Sequence, residues 1–432
     1  MRRKLEFDTI ESISINRLLN FCRRFEPLVV LNSNTKEQIQ TDPYYQFDIL
    51  IGAGLIERLP ETNDLFGQIK KTHLANPDWW FGYISYDVKN QLEHLESHNN
   101  DGIQAPEIFL FRPQYVFAFN GTKLCVEYDS ALDDENSVQR IVDELMKSQD
   151  EFQEKNSVAI VPVVSRQKYI QNVNSIKKHI QHGDIYEINY CVEYFAKDVE
   201  INPVSLYCRL NQLSPMPFSA FARTNHIQLI CASPERFLAK RKNKVISQPI
   251  KGTVRRGKNE EEDTILIDKL KNDPKERSEN VMIVDLVRND LSRTAKKGSV
   301  KVEELFGIKS FRQLHQMIST VTSELKHDMH FTDIMKSAFP MGSMTGAPKI
   351  KAMELIEKFE ETKRGLYSGT IGYITPSGDF DFNVIIRSIL YNSENRYLSY
   401  MVGSAITYSA LSEKEYEECL LKAKAMSQVL GE

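Results

Sequence analysis

The chain reads as a mixed fold of strands and helices, and not as a simple βαβ array. Three observations lead there. Short apolar runs bounded by turn residues recur along the chain, as at residues 27–31, 245–247 and 369–374. Helical spacing is confined to a few stretches, and strand-like runs follow one another without the regular helix that parallel strands require.

Residues 27–31 form a buried strand ended by Asn32-Ser33-Asn34. Trp79-Trp80-Phe81 leads into an aromatic strand over 82–87 that stops at an acidic turn, and its rings are expected in the core. From Leu132 to Asn156 the chain turns acidic and polar. There Val138, Ile141, Val142 and Leu145 fall at helical spacing, which predicts an exposed amphipathic helix between two parts of the protein. Residues 158–164 read as a strand. Tyr169, Ile170, Val173, Ile176 and Ile180 then mark a helix closed by Gly183. A helix begins near Pro274 and runs through 283–286. Strands are expected at 369–374, 382–391 and 397–402, and a final helix at 413–430. The organisation predicted is an N-terminal portion (1–130), a connecting acidic segment (131–157) and a larger C-terminal portion (158–432), packed as one large unit.

Composition narrows the class. A length of 432 residues permits two or three domains, and a 41% hydrophobic fraction suits a sizeable core. A net charge of -4 offers no electrostatic case for nucleic acid or an anionic membrane. Met1-Arg2-Arg3-Lys4 is basic, but Glu6 and Asp8 follow, and no apolar run approaches the roughly 20 residues needed to span a bilayer. The six cysteines are scattered, with no Cys-x-x-Cys pair or zinc spacing. The expectation is a cytoplasmic enzyme with reduced thiols.

Chemistry concentrates in the second half. Lys251 stands in Gln248-Pro249-Ile250-Lys251-Gly252-Thr253, between an extended X-Pro step and a glycine that lets backbone approach a ligand. As a nucleophile it needs a pocket that strips its proton. Glu276 and Glu279 are three apart on an expected helix, as are Glu415 and Glu418, so each helix can aim two carboxylates at one point. Oxygen ligands of this kind suit Mg²⁺. Taken singly, each feature also fits an ordinary solvated surface.

The ordered set is more specific. Gly183-Asp184-Ile185-Tyr186-Glu187-Ile188-Asn189 comes first, then Ala232-Ser233-Pro234-Glu235-Arg236-Phe237 and the run from Glu276 to Leu291. Thr345-Gly346-Ala347-Pro348-Lys349, Asp381-Phe382-Asn383-Val384-Ile385-Ile386-Arg387 and Glu415-Tyr416-Glu417-Glu418 ahead of Lys422-Ala423 complete it. From about Ser165 to the C-terminus this resembles the chorismate-utilising enzymes, and residues 82–87 resemble the N-terminal Gly-Tyr-x-x-Tyr-Asp element of the aminodeoxychorismate type.

The resemblance implies an α+β fold of large antiparallel sheets flanked by helices, with the active site between them. It implies Glu279 and Glu418 as first-choice Mg²⁺ ligands, with Glu276 and Glu415 beside them, and Arg387 and Lys422 on substrate carboxylates. Gly346 and Gly403 would bring bare backbone N–H groups to the substrate, and Tyr373 joins the substrate-binding set. Glu235 would protonate the departing 4-hydroxyl of chorismate while Lys251 attacks C2; ammonia then adds at C4 and expels the lysine. A lysine at 251 looks like aminodeoxychorismate synthase, where anthranilate synthases typically carry alanine. Isochorismate and salicylate synthases carry a base lysine where this chain has Glu187, which argues against water as nucleophile. No glutaminase signature is present, so ammonia is expected from a separate glutamine amidotransferase subunit.

Three departures from the family pattern bear on substrate contacts. Gln316, beside His315, stands where histidine is frequent. Asn280 replaces another frequent histidine, and Gly403-Ser404-Ala405 is less glycine-rich than usual. Glu187 also stands where glutamine is common. The alternatives are component I of anthranilate synthase and a chorismate-binding subunit without catalysis.

Overall fold

The computed structural model describes residues 2–8, 13–38, 42–150, 157–312 and 314–431. Side-chain alternation along its strands sorts the core into layers. On strand Trp80–Ile84, Phe81 and Tyr83 enter one apolar cluster while Trp80 and Ile84 enter another. On strand Ile227–Ser233, Leu229 and Cys231 share the cluster of Phe81, while Ile230 and Ala232 face a third. The shared middle layer therefore lies between two sheets, and each outer layer is closed by helices.

Every ladder among the described strands is antiparallel. One series runs from strand Arg2–Asp8 through Lys123–Asp129, Ile108–Asn120, Ile49–Arg58, Leu28–Asn32, Phe218–Thr224, Ile227–Ser233, Ser388–Asn392 and Tyr397–Ile406 to Glu187–Ala196. The other leaves Ile108–Asn120 through Trp80–Ile84, Thr370–Ile374, Phe380–Asn383, Arg236–Arg241, Lys244–Gln248 and Leu314–Glu324. Strand Ile108–Asn120 thus belongs to both. Its turn from one sheet to the other falls at Pro113, where the register with Ile49–Arg58 shifts and a missing N–H is tolerated. Strands from residues 28–84 pair with strands from residues 218–374, so the N-terminal and C-terminal portions share their sheets.

Helices Arg166–His182, Pro203–Leu213 and Ser412–Leu430 cover one sheet; Pro274–Ser292 covers the other, packed on Phe331–Ala338. The aromatic rings of 79–83 are buried, as their composition predicts, with Trp79, Phe81 and Tyr83 in the middle core and Trp80 in an outer layer. Gly183, with φ 84, closes the first of these helices.

Three expected elements differ. The helix within the acidic segment is Glu135–Lys147, and residues 151–156 of that segment lie outside the described residues. Within 158–164 only Val161–Pro162 pair as strand, against Phe195 and Tyr194. The strand expected over 382–391 is two strands, Phe380–Asn383 and Ser388–Asn392. The break ends at Arg387, whose φ of 53 is costly for a side-chain-bearing residue and turns it out of the ladder.

Candidate active site

Strand Ile250–Arg255 pairs with Leu314–Glu324, but its register shifts between Ile250 and Thr253. Lys251 and Gly252 together oppose the single residue Met317 there, which makes a β-bulge. Gly252 takes φ 89, and a Cβ on it would sit 3.0 Å from Glu276 Oε2. The bulge turns Lys251 into a cavity of about 500 Å³ between the sheet edges and helices Pro274–Ser292 and Ser412–Leu430. That volume suits a small organic ligand.

Lys251, Glu235, Arg387, Lys422, Gly403, Glu276, Glu279, Glu415 and Glu418 all line this cavity, although they come from six separate stretches of chain. The i,i+3 spacing does what helical geometry predicts, presenting Glu276 with Glu279 and Glu415 with Glu418 to one space.

Glu235 is buried at 4% exposure, and Ser343 Oγ donates to its Oε1 at 2.6 Å. Burial pushes its carboxyl up to about 7, against the Ser343 bond and the nearby Lys251 charge. With Oε1 occupied, Oε2 is the oxygen left to deliver a proton. Lys251 donates to Glu187. Burial favours loss of its proton, but the charges of Glu187, Glu279 and Glu235 outweigh burial and hold the ammonium above the ordinary lysine value. The expectation that the pocket strips this proton is therefore corrected. The surroundings keep Lys251 charged, because three acids face it.

The four helix carboxylates are not alike. Glu279 is buried and pushed up to about 7 by burial, with Lys251 opposing. Its Oε1 has no hydrogen-bond partner. Glu276 is also raised by burial. Glu418 is held below its usual range despite burial, chiefly by Lys422 at 2.6 Å. Glu415 accepts from Ser404 and from Lys275 at 3.0 Å, and Lys275 also stands 3.8 Å from Glu279. Burial works against the Lys275 charge, but Glu279, Glu415 and Glu418 hold that ammonium well above its ordinary value. No three acidic, histidine or cysteine side chains among the described residues form a ready-made metal centre. The set still fits a hard divalent cation chemically. It offers surplus carboxylate oxygens, one buried and unpartnered, with a lysine ammonium occupying the gap between the two helices.

Arg387 lines the cavity, and no side chain or carbonyl of the described residues accepts from its guanidinium. Lys422 donates to the Gly403 carbonyl at 2.9 Å. Gly403 is required because a Cβ would lie 2.4 Å from Cys191 Sγ. Gln316, not His315, faces the cavity, and its Oε1 lacks a partner. His315 instead contacts Asp263 at 2.9 Å and Ser310 at 2.8 Å. Asn280 accepts from Ser319 at 2.6 Å.

Two expected substrate residues lie elsewhere. Gly346 does not line the cavity. It pairs with Ile188, and a Cβ there would lie 2.1 Å from the Glu187 carbonyl oxygen, so its glycine serves close strand approach. Tyr373 lies in a second cavity of about 180 Å³ with Phe47, Phe218 and Arg236, donating to Gln46 at 2.9 Å. On strand Thr370–Ile374 it points into the middle core.

Sequence reasoning missed Lys275, Ser343, Tyr367 and Asn189 as cavity residues. Lys275 precedes Glu276 on the same helix, and Ser343 sits two residues before Thr345 of a quoted motif, so proximity to the motifs was the available signal. Asn189 is placed by the buried Arg364. Its guanidinium holds Glu360 at 2.6 Å, the Asn189 carbonyl at 2.8 Å and the Met344 carbonyl at 2.6 Å.

Known proteins agree with this geometry. Aminodeoxychorismate synthase of Arabidopsis thaliana (chloroplastic) is 38% identical over 299 residues, 68% of this chain; the chain spans only 32% of that relative's length. Aminodeoxychorismate synthase component 1 of Bacillus subtilis (strain 168) is 31% identical over 81% of this chain and 76% of its own. Anthranilate synthase component 1 of Aquifex aeolicus (strain VF5) is 32% identical over 82% and 75%. The crystal structure of anthranilate synthase component I from Streptococcus pneumoniae TIGR4 superposes with a TM-score of 0.72 at 28% identity, covering 81% of this chain and 80% of that one. Its fold is the antiparallel sheet with flanking helices described above. A family model for chorismate binding enzymes matches residues 26–428, and the chain belongs to that family.

Proposed function

We propose that this chain aminates chorismate at C4 with ammonia, giving 4-amino-4-deoxychorismate for para-aminobenzoate and folate synthesis. The observation that carries the reading is Lys251. A bulge turns it into the cavity beside the acid Glu235, at the position where the resemblance gives anthranilate synthases alanine.

On this reading Arg387, which has no acceptor among the described residues, and Lys422, which also pairs with Glu418, take the substrate's carboxylates, which a planar fork and a point charge respectively suit. Glu235, neutral below about pH 7, gives its proton to the departing 4-hydroxyl while Ser343 fixes the carboxyl's orientation. Lys251 forms a bond to C2, and ammonia then adds at C4 and returns the bonding pair to the lysine. Glu279 and Glu418 would hold Mg²⁺, with Glu276 and Glu415 beside them; when bound, the ion neutralises the ring carboxylate. Burial raises the pKa of all six thiols, so none of them is an activated glutaminase nucleophile. Ammonia delivery by a separate glutamine amidotransferase fits that. Among the described residues no helix is long and apolar enough to cross a membrane.

The second reading is anthranilate synthase, favoured by the 32% identity to the Aquifex aeolicus protein over 380 residues. Purified protein given chorismate, Mg²⁺ and an ammonium salt decides between them. The amination reading expects para-aminobenzoate once an aminodeoxychorismate lyase is added. Anthranilate with pyruvate release overturns it. Chorismate binding without product points to a non-catalytic subunit.

A further inference from the structure

Glu187 opens strand Glu187–Ala196, does not itself line the cavity and is 1% exposed. The Gly346–Ala347 strand packs against its backbone, close enough that only glycine fits at 346. One carboxylate oxygen accepts from Lys251, and the other, Oε2, is buried with no hydrogen-bond partner. Glu187 is the only carboxylate among the described residues in contact with Lys251. Facing the same ammonium at longer range are Glu235, after strand Ile227–Ser233, and Glu279, on helix Pro274–Ser292. A buried ionised carboxylate with a bare oxygen is costly, and so is the buried ammonium beside it. A single proton moved from Nζ to Glu187 neutralises both without solvent.

We propose that Glu187 is the positioning residue of Lys251: it fixes Nζ against the cavity wall and accepts the proton that must leave before the amine attacks. This rests on the amination reading. The steps balance. The ammonium and carboxylate become amine and carboxylic acid. The Nζ lone pair then bonds to C2, both ring double bonds shift, and the C4–O bond breaks, the hydroxyl leaving as water with the Glu235 proton. Nζ is now a cationic secondary amine. Ammonia bonds to C4, the double bonds shift back, the Nζ–C2 pair returns to nitrogen as free amine, and Glu187 gives back its proton. The new C4 ammonium gives a proton to the Glu235 carboxylate, which restores the acid, and the product leaves as the amine.

The test has two readouts on Glu187→Gln, with Glu187→Asp as a variant that keeps the charge. In the first, Lys251 is acetylated by acetic anhydride without chorismate from pH 7 to 11, and modification is read by peptide mass spectrometry. Wild type is expected to show a midpoint above the ordinary lysine value. Glu187→Gln should lower it by at least about 1 unit, the shift one close opposite charge produces. In the second, kcat is followed over pH. Wild type needs no proton lost to solvent, so no lysine limb appears. Glu187→Gln gains one, with kcat falling about tenfold per pH unit below the new midpoint; Glu187→Asp retains the wild-type shape. An unmoved acetylation midpoint or an unchanged profile in Glu187→Gln overturns the proposal. The acetylation readout needs no turnover. If amination itself fails, no aminodeoxychorismate forms in wild type, whatever Lys251 reactivity shows.

Discussion

In the small cavity beside Tyr373, the buried Arg236 places all three guanidinium nitrogens on protein oxygens: Asp381 at 3.0 Å, Asp42 at 2.6 Å and Gln248 at 2.5 Å. No buried polar side-chain atom lining it lacks a partner among the described residues. In the large cavity, Arg387 has no acceptor among the described residues, Glu279 Oε1 and Gln316 Oε1 accept no hydrogen bond, and the Lys275 ammonium sits between two glutamates. Both cavities contain arginine, tyrosine and acids. The difference is that one closes its charges on the protein and the other leaves them open. Satisfied charge holds a fold together, and unsatisfied charge is left for a ligand to complete.

The largest expected effect is in the open cavity. Lys251→Ala and Glu235→Gln should each lower kcat by about 10²–10⁴-fold in product-formation assays. An unchanged rate in Lys251→Ala would remove the lysine from the chemistry.

The two arginines give the sharpest contrast. Arg236→Ala takes away the ion-pair partner of Asp42 and one of the two arginines on Asp381, and should cost about 3 kcal/mol in denaturant unfolding. Arg387→Ala should change stability by under about 0.5 kcal/mol yet lower kcat/KM for chorismate about 100-fold. Equal stability losses in the two variants would break the comparison.

Glu235 adds a pH signature. Its folded value, about 7, lies above the ordinary 4.5, so between those values the folded protein holds a proton the unfolded chain has released. Stability from this group therefore falls as pH rises through that window. Glu235→Gln should gain on wild type between pH 5 and 8 by about 2 kcal/mol in chemical denaturation. In wild type, kcat/KM should decline above about pH 7 as the acid is lost.

Smallest is Tyr373→Phe. It removes one hydrogen bond to Gln46, worth about 1 kcal/mol of stability, and should leave the KM for chorismate unchanged.

These contrasts also show what could be read from the chain. The metal-type glutamates were legible because i,i+3 spacing on a helix fixes a shared face whatever the tertiary fold. Lys251 was legible from its Pro and Gly neighbours, which mark a place where backbone can approach a ligand; the bulge that aims it needed the structure. Tyr373 was not, because strand Thr370–Ile374 is buried on both faces. Alternation then cannot say which face meets the site, and the tyrosine turned to the middle core. Gly346 was misassigned because a glycine reads the same whether a ligand or a neighbouring strand needs the room. The two strands Phe380–Asn383 and Ser388–Asn392 read as one because nothing local marks the positive φ of Arg387. Lys275 and Glu187 needed the fold itself, since each acts on partners more than 60 residues away.

The most direct measurement is nitrogen-15 NMR of the product formed from chorismate, labelled ammonium and Mg²⁺. The account predicts label bonded at C4 of a ring that keeps its enolpyruvyl side chain. Label at C2 of an aromatic ring, with free pyruvate, would contradict it.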